Sequence, residues 1–301
     1  MNYCNPEGFE KEIKELLAKG DIDAFYHWFG GWGTKAASFE KGEDIFDRII
    51  FPLAEKLLPE GFNTALDLGY GVGTKIQPAF KHFSVVFGVD VHDEAKFVAE
   101  NLSVPKGKKL RLIKANGTNI PINNEAVDFV YSWATICHVG TVDNLKKYLD
   151  EIYGVLKPGG VAVLFFTRLM RPKGPQTWKE VEVHMERERE HTDGYREGGP
   201  LSKVRSVNFV VSMWKMVMLA TDAGFTVEER TASWDDGPIR KVYHGQYGIV
   251  LSKPKPKEVP KPVIVARTGT TTTTLPKPVV PPKPKTSPKK RGGLKRRKKG
   301  E

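Results

Sequence analysis

Residues 64–73 read TALDLGYGVG. The apolar run from Thr64 to Leu68 has the composition of a buried parallel strand. It passes directly into three glycines at alternate positions, Gly69, Gly71 and Gly73, and then into a possible helix, TKIQPAFKHF. A second apolar strand, SVVFGVD, follows and ends at Asp90, twenty-one residues after Gly69. Glycines in such a turn let the backbone adopt φ values that a side chain would forbid and come close to a ligand. A carboxylate at the end of the next strand can accept hydrogen bonds from both hydroxyls of a ribose. The stretch therefore describes a nucleoside-cofactor site.

The spacing indicates which cofactor. A dinucleotide fingerprint has the form GxGxxG and turns a helix N-terminus toward a pyrophosphate. Here the string is Asp67-x-Gly-x-Gly-x-Gly. A carboxylate two residues before the first glycine would repel a pyrophosphate but suits a ligand carrying an ammonium group.

On these residues the segment resembles the first motif of class I (Rossmann-like) methyltransferases that use S-adenosylmethionine (AdoMet). The similarity extends over roughly residues 60–252. It implies that Gly69, Gly71 and Gly73 let the methionine moiety lie along the turn. Asp67 would shape the electrostatics of that end through backbone or water, and Asp90 would bind the ribose hydroxyls. Val91 or His92 would flank the adenine. In the later segment KANGTNIPINNEAVDFVYS, Asn116 stands where many family members have aspartate. Its amide would meet the adenine amino group, with Gly117 allowing close approach, while Asp128 caps or braces the fourth strand.

That strand ends YSWATICHVG, which places Trp133 near the crevice where ligands bind in such sheets. His138 follows. An imidazole there can serve as a general base toward a hydroxyl or amine, or simply organise its loop through a hydrogen bond. Tyr26, His184, His191 and His244 are reserve bases. The chain lacks the Asn/Asp-Pro-Pro-aromatic motif of enzymes that methylate base amino groups in DNA, and neither cysteine lies in the Pro-Cys context of cytosine C5 enzymes.

The surrounding pattern gives the architecture. Strands are expected at 64–68, 85–90, 110–115 and 126–133, and a fifth follows the KPGG turn as VAVLFFT. Helices separate them, among them VDNLKKYLDEIYGVL, whose Leu145, Leu149, Ile152 and Leu156 share one face. AGFTVEERTAS and QYGIVLSKP supply two more strands. The fold class is thus α/β, a doubly wound, mostly parallel seven-stranded sheet whose last strand is antiparallel by the family resemblance.

Residues 1–59 read as a helical extension. Its one or two amphipathic helices over 8–29 precede a glycine-rich turn and a helix from Ile45 to Leu58, with Asp44 as its capping residue. By resemblance this region closes the acceptor pocket, which makes Tyr26, Trp28 and Trp32 lid candidates; the alternative is that they cover the edge of the sheet. An insertion at about 168–223 is the expected acceptor cover. In it Val181, Val183 and Met185 alternate with polar residues, suggesting a short strand or hairpin. VNFVVSMWKMVMLATDAG reads as a hydrophobic helix carrying Trp214, a pocket candidate or a core residue. His184, Glu188 and His191 would converge on a metal only if their segment were helical, so no metal is expected.

Composition separates the domain, 60–252, from a tail. The net charge of +11 conceals sixteen Lys/Arg against two acids in 253–301, which leaves 31 basic and 34 acidic residues before it. Ten prolines in that tail favour extended, solvated, disordered chain. It is a solubilising appendage, an electrostatic attachment to nucleic acid or another polyanion, or a nuclear address. Two cysteines, Cys4 and Cys137, give no disulfide framework and fit a reducing, cytoplasmic setting, or a nuclear one in a nucleated cell. No signal peptide or membrane span is read. The leading function is AdoMet-dependent methyl transfer to a small molecule or glycan. RNA or protein methylation through the tail, and a non-catalytic binding module, are the alternatives.

Overall fold

The computed structural model describes residues 6–30, 32–169, 178–190, 193–197, 207–232 and 246–256. The basic tail from residue 257, residues 233–245 with His244, and His191 lie outside them.

The N-terminal region forms two helices, α1 (Pro6–Ala18) and α2 (Ile22–Gly30), and then α3 (Lys35–Ile45). The expected helix start at Asp44 is corrected. α3 begins ten residues earlier, where the Thr34 hydroxyl accepts from the Ala37 N–H at 3.2 Å. It continues through a π-helical turn, Phe46–Ile50, into α4 (Phe51–Ala54). Pro52 has no N–H to donate, and the widened turn just before it absorbs the misfit.

The sheet follows in chain order. β1 (Thr64–Leu68), the single turn α5 (Ile76–Ala79), β2 (Val85–Asp90), α6 (Ala95–Glu100), β3 (Lys109–Lys114) and β4 (Val127–Ser132) form the first half. α7 (Val142–Val155) leads into the long β5 (Leu156–Thr167). The insertion holds α8 (Trp178–Arg187), β6 (Tyr195–Glu197), β7 (Phe209–Val211) and α9 (Met213–Asp222), and β8 (Thr226–Ala232) and β9 (Gln246–Ser252) complete the sheet. Among the described residues its order is β3-β2-β1-β4-β5-β9-β8. β1 to β5 pair in parallel, and β9 runs antiparallel between β5 and β8.

Hydrophobic layers cover both faces. One packs Leu145, Leu149 and Ile152 of α7 with α9 against Leu66, Val130 and Leu164. The other packs Ile45, Phe46 and Ile50 against Ala65, Phe129 and Val163. Beneath the sheet Asp128 braces two strands. Its Oδ2 accepts from the Asn63 and Thr64 N–H groups at 3.0 and 2.9 Å, and its Oδ1 accepts from Lys157 Nζ at 2.9 Å. No described helix is long and apolar enough to cross a membrane.

The strand or hairpin expected around Val181–Met185 is also corrected, because those residues lie in α8. A strand would put Val183 and Met185 on one face, yet Val183 is 46% exposed while Met185 and then Glu188 are buried. The local sequence KEVEVHMER is rich in helix formers. The helix does bring His184 and Glu188 one turn apart. Among the described residues, however, no group of three or more His, Cys, Asp or Glu is placed to hold a metal.

Candidate functional site

A cavity of about 290 Å³ opens at the C-terminal ends of β1, β2 and β4. This is where a doubly wound sheet offers a crevice, since β1 is the strand at which the connections reverse direction.

Its floor is the turn after β1. Gly69 has φ +83°, and a Cβ there would fall 1.9 Å from Thr135 Oγ1, so only glycine lets the turns after β1 and β4 approach this closely. The Gly69 N–H donates to the Val89 carbonyl at 2.7 Å, tying the turn to β2. Gly71 is held at both ends of its peptide units. Its N–H donates to Asp90 Oδ2 at 2.8 Å, and its carbonyl meets His92 Nε2 at 2.9 Å. Because His92 Nδ1 accepts from the Glu94 N–H, Nε2 carries the proton and donates. His92 is buried and braces the turn, while Val91 lines the cavity. Asp90 Oδ1 accepts from the Val91 N–H at 2.7 Å. Each carboxylate oxygen has two lone pairs, so Asp90 can still accept from two ribose hydroxyls.

Asp67 lies just behind the turn, fully buried. Neither of its oxygens has a hydrogen-bond partner among the described residues. Burial pushes its carboxyl up to about 7, against the pull of Lys75, and Asp90 raises it further. Lys75 lines the cavity, and burial draws its ammonium below the usual lysine range, an effect that Asp67 and Asp90 oppose. A buried carboxylate and an ammonium beside a glycine turn fit the charged methionine end of AdoMet.

The far wall comes from the turn after β4. Trp133 is buried against Phe165, with ring centroids 4.3 Å apart, and lines the cavity. Ala134 follows at φ +59°, an uncommon conformation for a residue with a Cβ, and it too faces the cavity. His138, at the end of a 3-10 turn (Ile136–His138), is half-buried in the same wall.

The roof is the N-terminal extension. Phe9 of α1 lies edge-on to the His138 ring at 5.6 Å. Phe29 of α2 covers Gly71, where an added Cβ would sit 2.9 Å from its ring. Tyr26, Trp28 and Trp32 also line the cavity. Tyr26 is buried, and its hydroxyl is pushed up to about 12, so it stays protonated and can donate but not act as a base. The extension is latched to the sheet at Glu10, which meets Lys114 at 2.9 Å and Lys14 at 2.5 Å. Both ammonium partners hold the Glu10 carboxyl down at about 2.

Among the described residues, the sequence candidates Asp67, Gly73, His92, Asn116, Gly117, Trp214 and His184 do not line the cavity. Asn116 is exposed, and its Oδ1 accepts from the Thr118 N–H and hydroxyl, which turns the loop and occupies the oxygen expected to meet adenine. Gly117 sits at φ +88° in that loop. Trp214 is half-buried on α9. His184 lies on α8, away from the cavity lining. The sequence reading did not single out Phe9, Ser38, Lys75 or Thr135, all of which line it. Lys75 carried a signal, a lysine two residues after the last glycine of the string.

Residues 66–164 match a family model described as a methyltransferase domain. A search of the curated proteins found none that matches. Among solved structures, the chain is similar to a SAM-dependent methyltransferase of Methanosarcina mazei, with 20% identity, 68% of this chain and 98% of that one covered, and a TM-score of 0.49. It is similar to an S-adenosylmethionine-dependent methyltransferase from Clostridium acetobutylicum at 16% identity, with coverages of 72% and 92% and a TM-score of 0.49. For another, from Mesorhizobium loti, the identity is 16%, the coverages are 67% and 97%, and the TM-score is 0.47.

Proposed function

We propose that this chain, a class I AdoMet-dependent methyltransferase, delivers the methyl group to a small-molecule or glycan acceptor held beneath its N-terminal helices. The observation that carries this reading is the roof. Phe9, Tyr26, Trp28, Phe29 and Trp32 line the same cavity of about 290 Å³ as the glycine turn and give it aromatic walls. A planar or sugar-like acceptor can stack on such walls, whereas a folded polymer would have to displace α1 and α2.

When bound, the cofactor supplies a methyl group on a sulfonium, a donor that needs no acid-base activation. The work left to the protein is alignment, which can supply much of the rate. Asp90 would hold the ribose through its two oxygens, with Gly69 and Gly71 in the floor, while Gly73 faces Val98 and Leu102. Val91 and Trp133 complete the walls. His138 is the cavity side chain suited to take a proton from a neutral acceptor as the methyl group arrives, since Tyr26 stays protonated. For a hydroxyl acceptor, His138→Ala lowers kcat by about 10²- to 10⁴-fold.

The test incubates the full chain and a chain ending at Ser252 with methyl-labelled AdoMet and separated metabolite, glycan, RNA and protein pools. Label in the metabolite or glycan fraction, equal for both chains, is the expected result. Label confined to RNA or protein, and weakened by removing the tail at low salt, would replace this reading with attachment to a polyanion.

A further inference from the structure

The loop after β3 joins two residues whose chemistry the cofactor site does not use. Asn116–Gly117 is the one Asn-Gly step in the sequence. Asn116 is exposed, and its Oδ1 accepts from the Thr118 N–H at 3.0 Å and from the Thr118 hydroxyl at 3.1 Å. Two donors on one amide oxygen draw electrons away from Cγ and stabilise negative charge that gathers on that oxygen. Among the described residues no group accepts a hydrogen bond from Asn116 Nδ2, and the Gly117 N–H donates to none. Gly117 carries no Cβ to crowd its own nitrogen, which is held next to the amide carbon along the chain.

These are the parts of an intramolecular acyl transfer. The Gly117 nitrogen, giving its proton to water, attacks Asn116 Cγ. The Cγ–Nδ2 bond breaks, Nδ2 takes a proton from water and leaves as ammonia, and a succinimide ring closes. Water then opens either carbonyl of the ring. One opening gives aspartate; the other gives isoaspartate, in which the main chain runs through Cβ and Cγ. Water is the co-reactant, and no oxidant or reductant takes part. Ala115, directly before this step, is buried, lines the cavity and donates its N–H to the Asp90 carbonyl at 2.7 Å. An isoaspartyl link lengthens the main chain beside it, and either product sets a carboxylate next to the wall.

We propose that Asn116 is a self-modifying site, activated by Thr118, whose conversion loosens the cofactor cavity as the protein ages. The loosening rests on the AdoMet reading above; the conversion does not. In the competing account the Thr118 bonds lock the amide and protect it.

The full chain is incubated at neutral pH and followed by intact and peptide mass, with calorimetric titration of AdoMet at intervals. Ammonia release and a gain of about 1 Da on the peptide holding Asn116 are the expected result. Converted chain, separated by ion exchange, should bind AdoMet about 10-fold more weakly, on the scale of one lost hydrogen bond. Asn116→Gln, whose longer amide would have to close a larger ring, should keep its mass and its starting affinity over the same period. Thr118→Val should slow conversion by about 2- to 10-fold, whereas Thr118→Ser, which keeps the hydroxyl, should convert like wild type. Should Thr118→Val fail to fold in a thermal melt, Thr118→Ala carries the same comparison. An unchanged mass over a period in which urea-unfolded chain converts, or faster conversion once the hydroxyl is removed, overturns the proposal. Conversion without any change in affinity overturns the loosening and spares the cofactor reading, because fresh chain still binds. Fresh chain that binds no AdoMet overturns the cofactor reading, and the mass gain alone then decides the modification.

Discussion

The turn after β1 and the insertion after β5 lie on the same edge of one sheet and are built in opposite ways. In the turn, the hydrogen bonds that hold the backbone join residues within about twenty-five positions of one another: Gly69 to Val89, Gly71 to Asp90, His92 to Gly71. In the insertion the geometry is set at a distance. Asn208 donates to the Cys137 carbonyl, and the Arg168 guanidinium stacks over the Tyr247 ring at 5.2 Å. The difference teaches that a site made from short-range backbone bonds can be held rigid by local sequence, whereas its cover depends on partners far along the chain.

The prediction with the largest effect concerns the support beneath the turn. Asp128→Ala removes the acceptor for two backbone N–H groups and Lys157, and should cost about 3 kcal/mol in denaturant unfolding. A loss below about 1 kcal/mol would show that the cofactor half does not hang on that brace. Next, Gly69→Ala adds a clash with Thr135 to a forbidden φ and should weaken AdoMet by about 100-fold, or about 2.8 kcal/mol, in calorimetric titration. Gly20→Ala is its control. Gly20 also has a positive φ, +70°, but nothing lies within 4 Å of the added Cβ, so stability alone should fall.

The third effect is one of pH. The unfolded chain releases the Asp67 proton near pH 4, at ~3.9, whereas the folded chain keeps it until about 7. Between those values the folded state binds more protons, so this residue's contribution to stability falls as pH rises, by at most ~1.4 kcal/mol per pH unit. Lys75 has the opposite sign at higher pH, because its folded value lies below the unfolded one and stability returns as it deprotonates. Denaturant titrations from pH 4 to 8 should show the wild type losing stability relative to Asp67→Asn. Parallel curves would place the Asp67 charge in a more polar setting.

The smallest effect tests the other side of the comparison. Val183 is exposed on α8, and Val183→Ala should stabilise the insertion by roughly 0.5 kcal/mol through helix propensity. If the segment were the strand that its alternation suggests, the same change would destabilise it.

These contrasts also explain what could be read beforehand. β1, β2 and the glycine string were legible because a buried parallel strand is an apolar run, and a tight turn needs glycine whatever surrounds it. That the last strand, β9, runs antiparallel followed from a resemblance rather than from any local pattern. The segment 181–185 misled because three alternating positions fit a strand, and only the burial of Met185 and Glu188 fixes the helix. The bonds from the Thr118 N–H and hydroxyl to Asn116 Oδ1 were not legible either, since they depend on how the loop closes. Ser38 and Lys75 were overlooked because a small residue on a helix and a lone lysine acquire meaning only when the fold turns both into one cavity.

The position of β9 bears on how the chain is made. β5 is completed on one side by β4, but its other edge stays open until Gln246–Ser252 arrives, well after Thr167 has been synthesised. Throughout that interval the apolar run Val161–Phe166 presents bare strand hydrogen-bonding groups, a template for pairing with other chains. Products terminated before Gln246 should accordingly aggregate rather than accumulate as a smaller soluble enzyme.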